Sequence, residues 1–187
     1  MGNEVAELYR QGIESFGARV HAVGDDQWHL PTPCTDWDVR ALVNHLVYEM
    51  RWAKPLFEGA TIEEVGDRFE GDLLGDDPRG AWDDAAKAAA AAAPADMERL
   101  VHLSFGDVPG SEYAMQLHAD LLVHGWDLAR AIGGDEQLDL EQVRACSAWF
   151  REREEYYRAG GAVGPRPQLP AGADAQAELL AAFGRRA

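Results

Sequence analysis

Between Val39 and Met50, apolar residues fall at Val39, Leu42, Val43, Leu46, Val47 and Met50, at alternating spacings of three and one. A 3.6-residue period puts all six on one face, so this stretch reads as an amphipathic helix with one side to bury. Thr35 stands where an N-cap is wanted, and Asp36 and Asp38 lie in the region favoured by the helix dipole. Pro55 and Gly59 mark the far end. Comparable periodicity runs from Glu4 to about Val23, and again from Ser111 to Ile132, where Gly133-Gly134 closes the segment. A fourth helix is expected from Asp139, with Gln142 as its capping-box partner, toward Tyr157. Four such helices with long crossover connections predict an all-α fold, a four-helix bundle. The whole chain, 1–187, reads as a single domain. Its short Gly/Pro-rich tail, from about residue 160, is expected to pack on the bundle, with a last short helix over Ala175–Phe183.

The connections are less regular. Leu30-Pro31-Thr32-Pro33 reads as an extended linker. From Glu58 to Asp84 there are ten acids and two bases, so half of the chain's formal charge of −16 sits in one stretch. Its glycines and charge make a solvated connection the simplest expectation. The alanine-rich run Ala85–Ala93 is a strong helix former stopped by Pro94. Leu100–Phe105 suits a short extended piece, followed by a turn at Gly106–Gly110.

The charge also narrows the partners: 33 acids against 17 bases leave no basic excess to neutralise phosphates, so nucleic acid and anionic membrane are not expected. No apolar run approaches the roughly 20 residues of a membrane span. Met1-Gly2-Asn3-Glu4 lacks the basic and apolar stretches of a signal peptide, which points to a cytoplasmic protein. With only Cys34 and Cys146, no disulfide framework holds the fold. Neither has a basic neighbour in sequence to activate its thiol, and structural roles are expected for both.

Chemistry, if present, should lie among the six histidines. Asp120 and His124 are four apart on the helix expected over 111–132, so carboxylate and imidazole can approach one point, as a metal requires. An i,i+4 pair in a capping or solvated role is the alternative. His45, between Leu42 and Leu46 on the core-facing side, is the best third ligand; a hydrogen-bonded core histidine is its alternative. Two imidazoles and a carboxylate suit Zn²⁺, Ni²⁺ or Fe²⁺ and leave positions open for water or substrate. Glu49, one turn after His45, could orient that ring or bind through water. His118 lies about 200° around the helix from Asp120 and should point away. His21, His29 and His102 are expected at the surface.

Two blocks carry a family resemblance. Thr32-Pro33-Cys34-Thr35-Asp36-Trp37-Asp38-Val39-Arg40, followed by Leu42-Val43-Asn44-His45-Leu46, resembles the N-terminal signature of the mycothiol-dependent maleylpyruvate isomerase family, within the DinB-like metal-binding superfamily. Asp120–Arg130, with His124-Gly125-Trp126-Asp127 at its centre, resembles the second signature of that family. The tail, with Val163-Gly164-Pro165 and Pro170–Asp174, looks like the ending of a short actinobacterial branch. The resemblance implies a DinB-like four-helix bundle holding a divalent metal between its second and third long helices. It places His45 and His124 at ligand positions, and Asp120 where the isomerase has a glutamate. The shorter carboxylate implies either a shifted metal or a water-mediated contact. The implied chemistry is a thiol, mycothiol by analogy, held as a thiolate that attacks an electrophilic substrate in a transferase or isomerase reaction. A metal-bound water acting in hydrolysis is another reading. The isomerase has an additional C-terminal domain that helps bind its substrate, and 187 residues hold little beyond one bundle, so maleylpyruvate is not carried over. Two other classes stay open: a non-catalytic metal-binding bundle for sensing, storage or stress, and a helical module that pairs with a second copy. Trp37 and Trp126 read as packing residues, and Arg40 and Arg130 as structural ion-pair formers rather than anion contacts.

Overall fold

In the computed structural model, which describes residues 2–187, α1 spans Gly2–Ala22 and α2 spans Val39–Glu58. The second helix starts later than Thr35 suggests. Asp38 is the N-cap, its carboxylate accepting the Ala41 amide at 2.8 Å. Pro31 and Asp38 form an antiparallel bridge, and the Val39 and Arg40 amides donate back to Leu30 and Trp28 carbonyls. Those bonds hold the loop in an extended path that only Asp38 can leave as a cap. At the other end the helix runs through Pro55 and closes at Gly59, whose φ of +100° is a left-handed cap that favours glycine.

The acidic crossover is not a loose tether. It contains α3 (Ile62–Val65), opened by a Thr61–Glu64 capping box, and the start of α4 (Pro78–Ala92). Arg40 binds Asp72 and the Gly75 carbonyl, while Asn44 donates to the Gly71 carbonyl and accepts from the Leu73 amide. Two side chains of α2 therefore pin the crossover's middle.

The hairpin β1 (Leu100–Leu103) and β2 (Gly106–Pro109) leads directly into α5 (Gly110–Ile132), which ends at Gly133 with φ +70°. Helix α1 packs along α5 and α2 along α4, and contacts of α1 with α4 and of α2 with α5 close a four-helix arrangement. Its core includes Tyr9 and Phe16 from α1, Leu42, Leu46 and Met50 from α2, Trp82 from α4, and Leu121 and Leu128 from α5. Thus the fourth bundle helix comes from Pro78–Ala92, not from the segment after Asp139. Its alanines leave only Trp82, Ala85, Ala86 and Ala89 to mark a buried face, a weak periodic signal.

The chain divides into two compact units, one ending at Asp135 and one from Glu136 to Ala187. The second holds α6 (Leu140–Phe150), α7 (Glu154–Ala159) and α8 (Ala175–Ala182). The helix expected from Asp139 to Tyr157 is thus interrupted after Phe150. Asp139 does cap it, accepting the Glu141 and Gln142 amides, and Phe150 stacks on Phe183 at 3.9 Å. No helix among the described residues is long and apolar enough to cross a membrane.

Candidate metal centre

Helices α2 and α5 pack side by side, and His45 from one faces Asp120 and His124 from the other. The His45 Nε2 lies 2.9 Å from Asp120 Oδ2, and His124 Nε2 lies 3.4 Å from Asp120 Oδ1. Each carboxylate oxygen therefore meets one imidazole, an arrangement made by the i,i+4 spacing on α5 and the helix–helix contact. The two imidazoles stand edge to face, centroids 5.3 Å apart. Side-chain exposure is 25% for His45, 33% for Asp120 and 8% for His124, so solvent reaches the group from the His45–Asp120 side.

Trp37, in the loop before α2, lies over both rings, 4.7 Å from His45 and 5.5 Å from His124. It packs on the imidazoles themselves and is partly exposed. The same loop brings Cys34 to the opposite edge of His124. There Asp127 Oδ2 is 2.9 Å from His124 Nδ1, and Cys34 Sγ is 3.4 Å from that oxygen and 3.8 Å from the ring nitrogen. Asp127 is fully buried, and Cys34 partly exposed. Among the described residues, His45–Asp120–His124 and Cys34–His124–Asp127 are each a set of donor atoms within 4.8 Å of one another.

The electrostatics follow from this crowding. Burial disfavours charge on Asp120, yet His124 and His45 overcome it and hold the carboxylate well below its ordinary range. Burial likewise works against a charged His124, but Asp120 and Asp127 flank both ring nitrogens and push its pKa well up. Glu49 is pushed up to about 7 by burial first and then by the Asp120 charge. It is a carboxyl group of the site's surroundings poised near neutrality, a property its spacing from His45 alone does not give.

The remaining histidines lie elsewhere. His118 is buried against α1, its Nδ1 3.1 Å from where a Cβ on Gly12 would stand. His21, His29 and His102 are at the surface beside Asp83, Asp38 and Asp107. Arg40 is an ion-pair former, held by Asp72, whereas Arg130 lies over the Trp126 ring at 5.0 Å. Cys146 is fully buried, and its thiol is pushed up to about 12 by burial. The role missed in sequence is that of Cys34 and Asp127. Asp127 had a signal, three residues beyond His124 on the same helix, whereas Cys34 is 90 residues away and had none.

Two uncharacterized proteins of Mycobacterium tuberculosis, from strain CDC 1551 / Oshkosh and strain ATCC 25618 / H37Rv, are each 32% identical to the chain over 143 residues. Those matches cover 71% of this chain and 70% of each relative. No solved structure shows a significant match. The profile described as mycothiol maleylpyruvate isomerase N-terminal domain matches residues 9–129, which include α2, α5 up to Ala129 and every donor named above. The chain therefore belongs to the mycothiol maleylpyruvate isomerase N-terminal domain family.

Proposed function

We propose that the protein binds a divalent cation, Zn²⁺ first among Zn²⁺, Ni²⁺ and Fe²⁺, through His45, Asp120 and His124, and works with a small thiol of the mycothiol type on an electrophilic substrate. The observation that carries this reading is the convergence of two imidazole nitrogens on the two oxygens of one carboxylate. A tetrahedral zinc site with bonds of about 2.0–2.1 Å has ligand–ligand edges of roughly 3.3 Å. The separations of 2.9 Å to one Asp120 oxygen and 3.4 Å to the other are close to that edge, which supports a cation held among the three side chains. Three protein ligands and a solvent-facing side leave room for an exogenous donor.

When bound, the cation supplies Lewis acidity that keeps a thiol in its nucleophilic thiolate form at neutral pH. The chain's own residues set up that chemistry. Asp127 accepts from His124 Nδ1 and so directs Nε2 toward Asp120 and His45. Trp37 fixes the planes of both imidazoles. In the metal-free protein burial and the Asp120 charge push the Glu49 carboxyl up to about 7, so that it can hold a proton beside the site until a cation is bound.

The test is metal analysis of the purified protein, followed by cobalt substitution and titration with mycothiol or a simple thiol. The expected result is one cobalt ion per chain, its binding at the nitrogen–oxygen set lost in His45→Ala and all binding lost in His124→Ala, with a visible spectrum that changes on adding thiol. A cation bound with no spectral response to thiol would leave the non-catalytic metal-binding reading in its place. No cation bound would exclude both.

A further inference from the structure

The geometry points to a second cation site: we propose that Cys34 Sγ, His124 Nδ1 and Asp127 Oδ2 bind a thiophilic divalent cation, in competition with the His45–Asp120–His124 set for the one imidazole they share. The second set is built from different chemistry. It contains sulfur, nitrogen and oxygen, whereas the first holds only nitrogen and oxygen, and soft cations select thiolate. Its separations of 2.9, 3.4 and 3.8 Å suit a site in which sulfur bonds at about 2.3 Å and nitrogen and oxygen at about 2.0–2.2 Å.

Two further observations favour a built site. The sulfur comes from a turn that is already fixed, and the other two donors from helix α5: the Cys34 amide donates to Thr32 Oγ1, and the Trp37 amide donates to the Cys34 carbonyl. Little chain entropy is therefore lost when the sulfur is engaged. Asp127 and His124 are buried while Cys34 is partly exposed, so the sulfur is the entry side and the harder donors form the floor.

Competition follows from the shared ring. Binding at the second set releases the Cys34 Sγ proton to solvent and leaves the neutral His124 ring with its one hydrogen on Nε2, so that Nδ1 offers its lone pair to the cation. A neutral imidazole carries one ring proton, so one nitrogen can bind a cation while the other keeps its hydrogen. Occupying both nitrogens requires an imidazolate, so each cation weakens the other. By linkage the weakening is equal in both directions. The competition rests on the proposed first site; the second site stands without it.

Cadmium titration of the full-length protein tests this, read by the ultraviolet thiolate-to-cadmium charge-transfer absorption. Wild type, Cys146→Ser and His45→Ala should each develop the band and saturate at one Cd²⁺ per chain. Cys34→Ser should abolish it and Asp127→Asn should weaken binding about tenfold or more, with thermal unfolding used to confirm that both variants fold. In cobalt-loaded wild type, the cobalt ligand-field spectrum should fall as the cadmium band grows. No band in wild type, or one unchanged by Cys34→Ser, overturns the second site. A cadmium band that saturates with the cobalt spectrum intact overturns the competition. A wild type that binds Cd²⁺ but no Co²⁺ supports the second site while refuting the first.

Discussion

Asp127 Oδ2 stands 2.9 Å from His124 Nδ1, on the edge of the ring opposite Asp120, so a single imidazole is gripped by carboxylates at both nitrogens. That grip fixes the ring's orientation and its tautomer when a cation is held at Nε2. Asp127→Asn should therefore lower zinc affinity by about 10–100-fold at the His45–Asp120–His124 set. Competition with a chromogenic chelator measures this directly, and an unchanged affinity would show that Asp127 does not position the ring.

The α1–α4 crossing gives a stability prediction. A Cβ on Gly17 would lie 2.8 Å from Trp82 Nε1, a buried side chain that also packs on Phe16 at 4.7 Å. Alanine improves helix propensity by about 1 kcal/mol, but forcing the indole away costs about 1–3 kcal/mol. Gly17→Ala should lower the urea midpoint. Gly125→Ala, on α5, meets nothing closer than 3.7 Å and should leave the midpoint unchanged or raise it.

The protonation of Glu49 makes stability depend on pH. Its carboxyl is raised from 4.5 to about 7 by burial and by Asp120, so between those values the folded state holds a proton that the unfolded chain releases. Stability of the metal-free protein should accordingly fall as pH rises from about 4.5 through about 7. Glu49→Gln should flatten that slope and make the variant the more stable of the two at pH 8, as read by thermal unfolding across the range.

The two thiols should separate cleanly. A small disulfide reagent should label Cys34, which is partly exposed, in the native protein. Cys146 is fully buried with a thiol pushed up to about 12, and should react only after denaturant is added. Labelling of both at equal rates would contradict the packing of α6.

The parts of this architecture visible in sequence are those written in local spacing. Helices α2 and α5 announce themselves through apolar periodicity, and Asp120 and His124 through a four-residue step on one of them. His45 follows because its neighbours Leu42 and Leu46 fix the face it shares. Helix α4 was obscured because alanine contributes little periodic contrast, and its first residues lie inside the acidic crossover. The Asp38 cap depended on a bridge to Pro31 that spacing does not reveal. Cys34 and Trp37 reach His124 only through the path of the loop before α2, a tertiary relationship with no local signature.

The engagement of Arg40 sets an order of arrival. Its guanidinium is held by Asp72 and the Gly75 carbonyl, and that of Arg130 lies over Trp126, so neither signature arginine is committed to receiving an anion. An anionic ligand approaching Asp120 and Asp127 meets two carboxylates that the one His124 imidazolium offsets only in part, until a cation is seated between the imidazoles. Occupancy would then have a direction, with the metal first and the thiolate or other anion second. A thiol offered to the metal-free protein should find no purchase there.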